Sequence, residues 1–268
     1  MAEQDLLYSR ENGLGIVTLN RPERLNAITH PMLARLHSII EEIREDDSVR
    51  VAILTGNGRA FCAGTDISGE LAAAPIPAEV EIFKMKEKDS TEYRESQWFF
   101  NSLPKPVICA INGAAVGIGA ELSLHCDIRI ASESACWGQV FVLRGMVPDT
   151  GAGTYLLPRI VGLSKACELV FSGEIINAQE MLRIGLVSRV VPDDQLLAAA
   201  KEMAKKLMRG APLAVKMCKQ LMYMGLERTL EAHQEASRYC LQLSTKTEDF
   251  QEGIRSFIEK REPRWVGK

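Results

Sequence analysis

Residues 112–126 read Asn112-Gly-Ala-Ala-Val-Gly-Ile-Gly-Ala-Glu-Leu-Ser-Leu-His-Cys126, and the rest of the chain is organised around them. The apolar run Pro106-Val-Ile-Cys-Ala-Ile111 just before them predicts a buried strand, and Leu122 and Cys126 mark one face of a helix after them. A Gly-rich passage from strand to helix lets backbone approach a ligand and leaves the first N–H groups of the helix free to donate. Glu121 falls in the first helical turn, so the chemistry is placed here.

Outward from this stretch, strands and helices alternate. Strands are predicted at 15–19, 49–54, 127–131 and 186–191, with a helix at 32–44 in which Leu33, Leu36, Ile40 and Ile43 recur at helical spacing. Pro31 suits the first turn of that helix. A helix is expected from about 91 to 103, and residues 71–89 read as a surface loop and a loosely patterned charged stretch that line an acyl pocket. Residues 151–160 and 165–171 predict two helices meeting at Gly162, and Asn177 caps another that Gly185 stops. Four amphipathic patterns follow from Asp193 to about Lys260. The expected architecture is α/β, with a core domain over 1–195 and a helical region over 196–268.

Composition narrows the function. The chain has 268 residues, 46 % apolar and 25 % charged, with a net charge of −3. No basic patch points to nucleic acid, and no apolar run is long enough to span a bilayer. The polar, acidic start is unlike a signal peptide, and seven unpaired-looking Cys suit a reducing compartment, so a cytoplasmic location is expected. Cys109 and Cys126 read as small core residues. The four His show no metal-ligand spacing, and His125 reads as a core residue or a support for the site.

Several separated segments carry a family resemblance. Arg21-Pro-Glu-Arg-Leu-Asn-Ala27, Phe61-Cys-Ala-Gly-Thr-Asp66, the 112–127 stretch, Val147-Pro-Asp-Thr-Gly151 and Ile258-Glu-Lys-Arg-Glu-Pro263 together resemble the enoyl-CoA hydratase/isomerase (crotonase) superfamily. The resemblance implies a spiral core of repeated ββα units, a C-terminal helical layer that mediates trimers or dimers of trimers, and an acyl-CoA substrate. It also implies no metal or redox cofactor, coenzyme A entering only as part of the substrate. The backbone N–H groups of Thr65 and Ile118 would form an oxyanion hole, and Glu121 would be a catalytic carboxylate. Arg24, Ala63 and Lys260 would meet coenzyme A, while Asp66 would be structural.

One departure from the family pattern matters. Its hydratases carry a second Glu twenty residues after the first, where this chain has Phe141, a residue better suited to an acyl pocket. Asp149 sits where some isomerases of the superfamily have a working Asp, and it also suits a helix cap before Thr150-Gly151. Double-bond isomerisation, or hydration by a single Glu, is therefore favoured over two-Glu hydration. Two alternatives come from other classes. Gly117-Ile-Gly119 resembles part of a dinucleotide fingerprint but has Leu122 at the third glycine, and a non-catalytic acyl-CoA binding protein could keep the fold without the second Glu.

Overall fold

The computed structural model describes residues 2–66 and 100–268. The expected helix near 91–103 and the pocket wall at 71–89 therefore lie largely or wholly outside the described residues. Within the described residues ten strands form two sheets. The larger has the order β1 (Leu6–Glu11), β2 (Leu14–Leu19), β3 (Val51–Gly56), β5 (Val107–Ile111), β7 (Ile128–Ser132) and β10 (Arg189–Val191). The smaller has the order β4 (Ala60–Cys62), β6 (Ala114–Val116), β8 (Cys136–Gly138) and β9 (Ile175–Asn177).

From β3 to β8 consecutive strands alternate between the sheets. In each of the pairs β3–β4, β5–β6 and β7–β8 the first strand joins the large sheet and the second joins the small one. The pairings β2–β3, β3–β5 and β5–β7 are parallel, as are β4–β6 and β6–β8, so each pair repeats the path of the last. This repetition is the spiral that the resemblance implied. It delivers every turn between the paired strands to the same edge.

Burial explains why β5 is apolar throughout. Val107, Cys109 and Ile111 point into the main core with the helix His30–Glu45, while Ile108 and Ala110 face a second core on the opposite side. A parallel sheet covered on both faces calls for such unbroken apolar runs. The second cover is the helix Leu196–Leu207, whose Leu196, Ala199, Ala200 and Ala204 pack under Ile53, Ile108 and Ile130. The first of the four C-terminal helices thus belongs to the sheet's packing. The other three are Pro212–Met224, Leu230–Ser244 and Glu248–Glu259.

Polar pins hold this layer in place. Lys219 is buried, and its ammonium donates to Asp127 Oδ2 at 2.7 Å and to the Lys105 carbonyl at 3.0 Å. Tyr223 donates to the other oxygen of Asp127 at 2.8 Å. Asn177 caps its helix as expected, accepting from the Glu180 N–H at 2.9 Å. Cys109 and Cys126 are buried core residues, and all seven cysteines are free.

Candidate active site

The site is assembled where the turn after β4 meets the turn after β6. Gly64 and Gly117 both have positive φ, 126° and 58°. A Cβ added to Gly117 would lie 3.8 Å from the Gly64 Cα, so the two turns are in van der Waals range. Glycine is required beside them as well. A Cβ on Gly119 would come within 2.2 Å of the Cys62 carbonyl oxygen, which locks the start of the helix Ile118–Leu124 against β4.

Both turns are braced from behind. Asn26, fully buried, donates to the Asn57 and Ala60 carbonyls at 2.9 and 2.7 Å and accepts the Arg21 N–H at 2.8 Å. Asn112 accepts from the Gly56 N–H at 3.0 Å and donates to the Gly58 carbonyl at 2.9 Å. Asp66 pairs with Arg21 at 3.0 Å, and its N–H donates to the Ile28 carbonyl at 2.8 Å, in keeping with the structural part expected of it. The Thr65 and Ile118 N–H groups donate in none of the turn and loop backbone hydrogen bonds among the described residues. Ile118 opens its helix, where no preceding helical carbonyl can accept its N–H.

Glu121 is wholly buried beside this junction. Its Oε1 accepts from Gln139 Nε2 at 2.5 Å, its Oε2 accepts from the Thr150 hydroxyl, and the Gly153 N–H also donates to the carboxylate. There is no slack, since a Cβ on Gly153 would stand 2.6 Å from Oε1. Burial raises the Glu121 pKa above its usual 4.5, the three hydrogen bonds oppose that shift, and the charge of Asp149 adds to it. Desolvation wins, leaving a carboxyl that holds a proton more readily than an exposed one.

This shift has a consequence for stability. The folded chain keeps the Glu121 proton to higher pH than the unfolded chain does. The resulting stabilisation is complete below about 4.5 and is lost as pH rises through the raised folded value. Denaturant unfolding of Glu121→Gln against pH is expected to lack this component. Relative to the native chain, the variant should gain stability as pH rises across that window.

Gln139 and Thr150 were not recognised from sequence as partners of Glu121. They lie 18 and 29 residues from it. The available signal was a lone amide in the otherwise apolar Trp137-Gly-Gln-Val-Phe141. Residues 140–144 form a 3-10 helix, on which Phe141 is half-buried.

The expected helix at 151–160 divides into a π-helical turn, Ala152–Leu156, and an α-helix, Leu157–Val161. Asp149 does not cap it. The Thr150 hydroxyl takes the Ala152 N–H at 3.2 Å, and Asp149 is exposed with no hydrogen bond or ion pair among the described residues. The capping explanation for Asp149 is thereby corrected, because the polar group one residue later occupies that place.

The residues expected to meet coenzyme A are spread out. Arg24 is exposed on the turn Pro22–Arg24, and Ala63, half-buried after β4, donates its N–H to the Leu25 carbonyl at 3.0 Å. Lys260 is exposed with φ 53° at the end of the last helix. Neither Arg24 nor Lys260 has an ion pair among the described residues. No cluster of three or more His, Cys, Asp or Glu suited to a metal occurs among the described residues. None of their helices is long and apolar enough to cross a membrane.

A spiral of paired strands with a buried carboxylate beside two glycine turns is the arrangement that the resemblance implied, and comparison with known proteins agrees. The family profile described as enoyl-CoA hydratase/isomerase matches residues 9–268. The 1,2-epoxyphenylacetyl-CoA isomerase of Escherichia coli (strain K12) is 36 % identical over 98 % of both chains. The short-chain-enoyl-CoA hydratase of Clostridium acetobutylicum is 38 % identical over 97 % of both. Among solved structures, an enoyl-CoA hydratase from Bacillus anthracis superposes with a TM-score of 0.87 at 35 % identity, covering 99 % of this chain and all of that one. The chain belongs to the enoyl-CoA hydratase/isomerase family.

Proposed function

We propose that this chain is an acyl-CoA enzyme that moves a carbon–carbon double bond in an enoyl-CoA thioester. The supporting observation is a buried carboxylate beside the glycine turns, Glu121, with Phe141 where a second Glu would stand in a two-Glu hydratase. Glu121 removes a proton from one carbon of the acyl chain, the double bond shifts through an enolate, and Glu121 returns a proton to another carbon. The thioester oxygen carries the charge in between. Backbone N–H groups of Thr65 and Ile118 donate to it, each such donor worth about 3 kcal/mol of transition-state stabilisation. Because Glu121 has a raised pKa, it is suited both to take the proton and to give it back.

Two carboxylates that orient one water favour hydration, whereas proton shuttling needs one. The E. coli relative named as an isomerase of an epoxide supports rearrangement of a CoA thioester without net addition of water. The relatives named as hydratases favour a second reading, water addition with Glu121 as the one acid/base. Incubation with matched 2-enoyl- and 3-enoyl-CoAs, read by mass spectrometry, separates them. An isomer of unchanged mass is expected, while a product heavier by one water would transfer the assignment to hydration.

Asp149 supports Glu121 in this proposal, its negative charge helping the Glu121 carboxyl to hold the proton between the two transfers. Its replacement by Asn is expected to lower isomerase turnover several-fold. With the like charge gone, the acid limb of the pH–rate profile should move to lower pH. A change in unfolding free energy without a change in turnover would remove Asp149 from the chemistry.

Arg24 and Lys260 supply positive charge to the coenzyme A phosphates and Ala63 its backbone to the adenine; coenzyme A is the only nucleotide the reaction uses. Exposed Met222, Leu230, Tyr239, Leu241 and Phe257 on the C-terminal helices support a homotrimer or a dimer of trimers. Seven free cysteines support a reducing, cytoplasmic setting.

A further inference from the structure

Thr150 joins Glu121 to a second side chain, His125. His125 Nε2 lies 3.1 Å from the Thr150 hydroxyl, which in turn donates to Glu121 Oε2. His125 and Thr150 both line a cavity of about 410 Å³ whose wall includes Tyr155, Tyr223 and Glu227. Gly64 and Gly117 do not line it. The carboxylate at the centre of the site is therefore connected, through two polar side chains, to a space large enough for several waters.

Building on the proposed isomerisation, we propose that Thr150 and His125 form a proton relay between Glu121 and this cavity. The proton that Glu121 takes from the acyl chain then exchanges with solvent by a route separate from the coenzyme A side. Each transfer balances. A proton leaves Glu121 Oε2 for Thr150 Oγ1 while the Thr150 hydroxyl proton passes to His125 Nε2. The imidazolium then gives its Nδ1 proton to water, and because Nδ1 is buried this release accompanies a tipping of the ring toward the cavity. A carboxylate and a neutral imidazole remain, and no electrons change hands. The inward passage is the reverse, starting with protonation of Nδ1 by water. Burial pulls the His125 pKa down to about 4, so the imidazolium is short-lived and hands its proton on. The Ala152 N–H, donating to Thr150 Oγ1 at 3.2 Å, holds that oxygen between Glu121 and His125.

The test measures deuterium incorporated into product per turnover in heavy water, at low conversion, for the native chain and for His125→Phe and His125→Gln. The native chain is expected to place solvent label in the product. A positioned proton-transfer group contributes about 100-fold or more to its step, and because exchange competes with return of the same proton, the labelled fraction falls by less, about tenfold. Gln can still hydrogen-bond to Thr150 but cannot pass a proton, so both variants should lose label. Label equal to the native value in either variant, measured per turnover, overturns the relay.

If the His125 variants do not fold, Thr150→Ser and Thr150→Val serve instead, with label kept in the first and lost in the second; equal label in both overturns the relay. Exchange of the α-hydrogen of a saturated acyl-CoA provides a readout that does not require isomerisation. If no double bond moves but this exchange still depends on His125, the isomerase reading fails and the relay stands. If the native chain gives no exchange either, both fail.

Discussion

Glu121→Gln is expected to reduce turnover by about 1,000-fold or more while leaving the dissociation constant for a substrate-like acyl-CoA within a few-fold of native. The substitution keeps the volume of the side chain inside its tight enclosure, where Gly153 leaves no room for even a methyl group. It removes the basicity. Coenzyme A is held at other positions in the proposed arrangement, so affinity should survive. The amide NH₂ would also meet Gln139 Nε2 or the Thr150 hydroxyl, both donors to the native carboxylate. One of those partners must turn, and the variant's structure should show which. Steady-state rates alongside calorimetric binding check the prediction, and equal losses in both would mean that Glu121 shapes the pocket without carrying a proton.

Ile118→Pro should be nearly as damaging, for a different reason. Proline is tolerated at the first position of a helix, where its missing N–H has no helical partner and its fixed φ suits the helix. Ile118 occupies that position in Ile118–Leu124. The fold is therefore expected to persist, with a loss of about 2 kcal/mol from the buried Ile118 side chain, which is 7 % exposed. The amide donor to the enolate oxygen is lost, and comparable donors elsewhere are worth about 100- to 1,000-fold in turnover. Ile118→Val, which keeps the N–H, is the control for the side chain. A proline variant that folds and turns over like the valine variant would exclude this amide from catalysis.

The elements that depend on local pattern were legible in the chain itself. The buried strand before Asn112, the four C-terminal helices and the Asn177 cap all follow from apolar period and capping residues close in sequence. Other features depend on partners far along the chain. Strand β1 carries Ser9, Arg10 and Glu11, half-exposed or exposed, and shows no clean alternation; it is ordered by its antiparallel pairing with β2. Nothing in the local pattern around Val140–Arg144 or Ala152–Leu156 distinguishes a 3-10 or π turn from an α-helix.

The candidate site divides in the same way. Thr65, Ile118 and Glu121 lie in or just after glycine turns that identify themselves by composition, and the resemblance supplied their suggested roles. Gln139, Thr150 and Gly153 reach Glu121 only because the spiral lays successive turns beside one another. Asp149 illustrates the limit of local reasoning. Its position before Thr-Gly suggested a cap, yet the neighbouring hydroxyl fulfils that function.

The polarisation of a bound thioester carbonyl tests the central idea most directly. Infrared difference spectroscopy of a saturated acyl-CoA labelled with carbon-13 at that carbonyl, bound to the protein, should show the stretch displaced to lower frequency than in water. Ile118→Pro should return part of the displacement. A carbonyl frequency unchanged on binding would mean that no pair of amides grips the oxygen, and Glu121 would then have no enolate to serve.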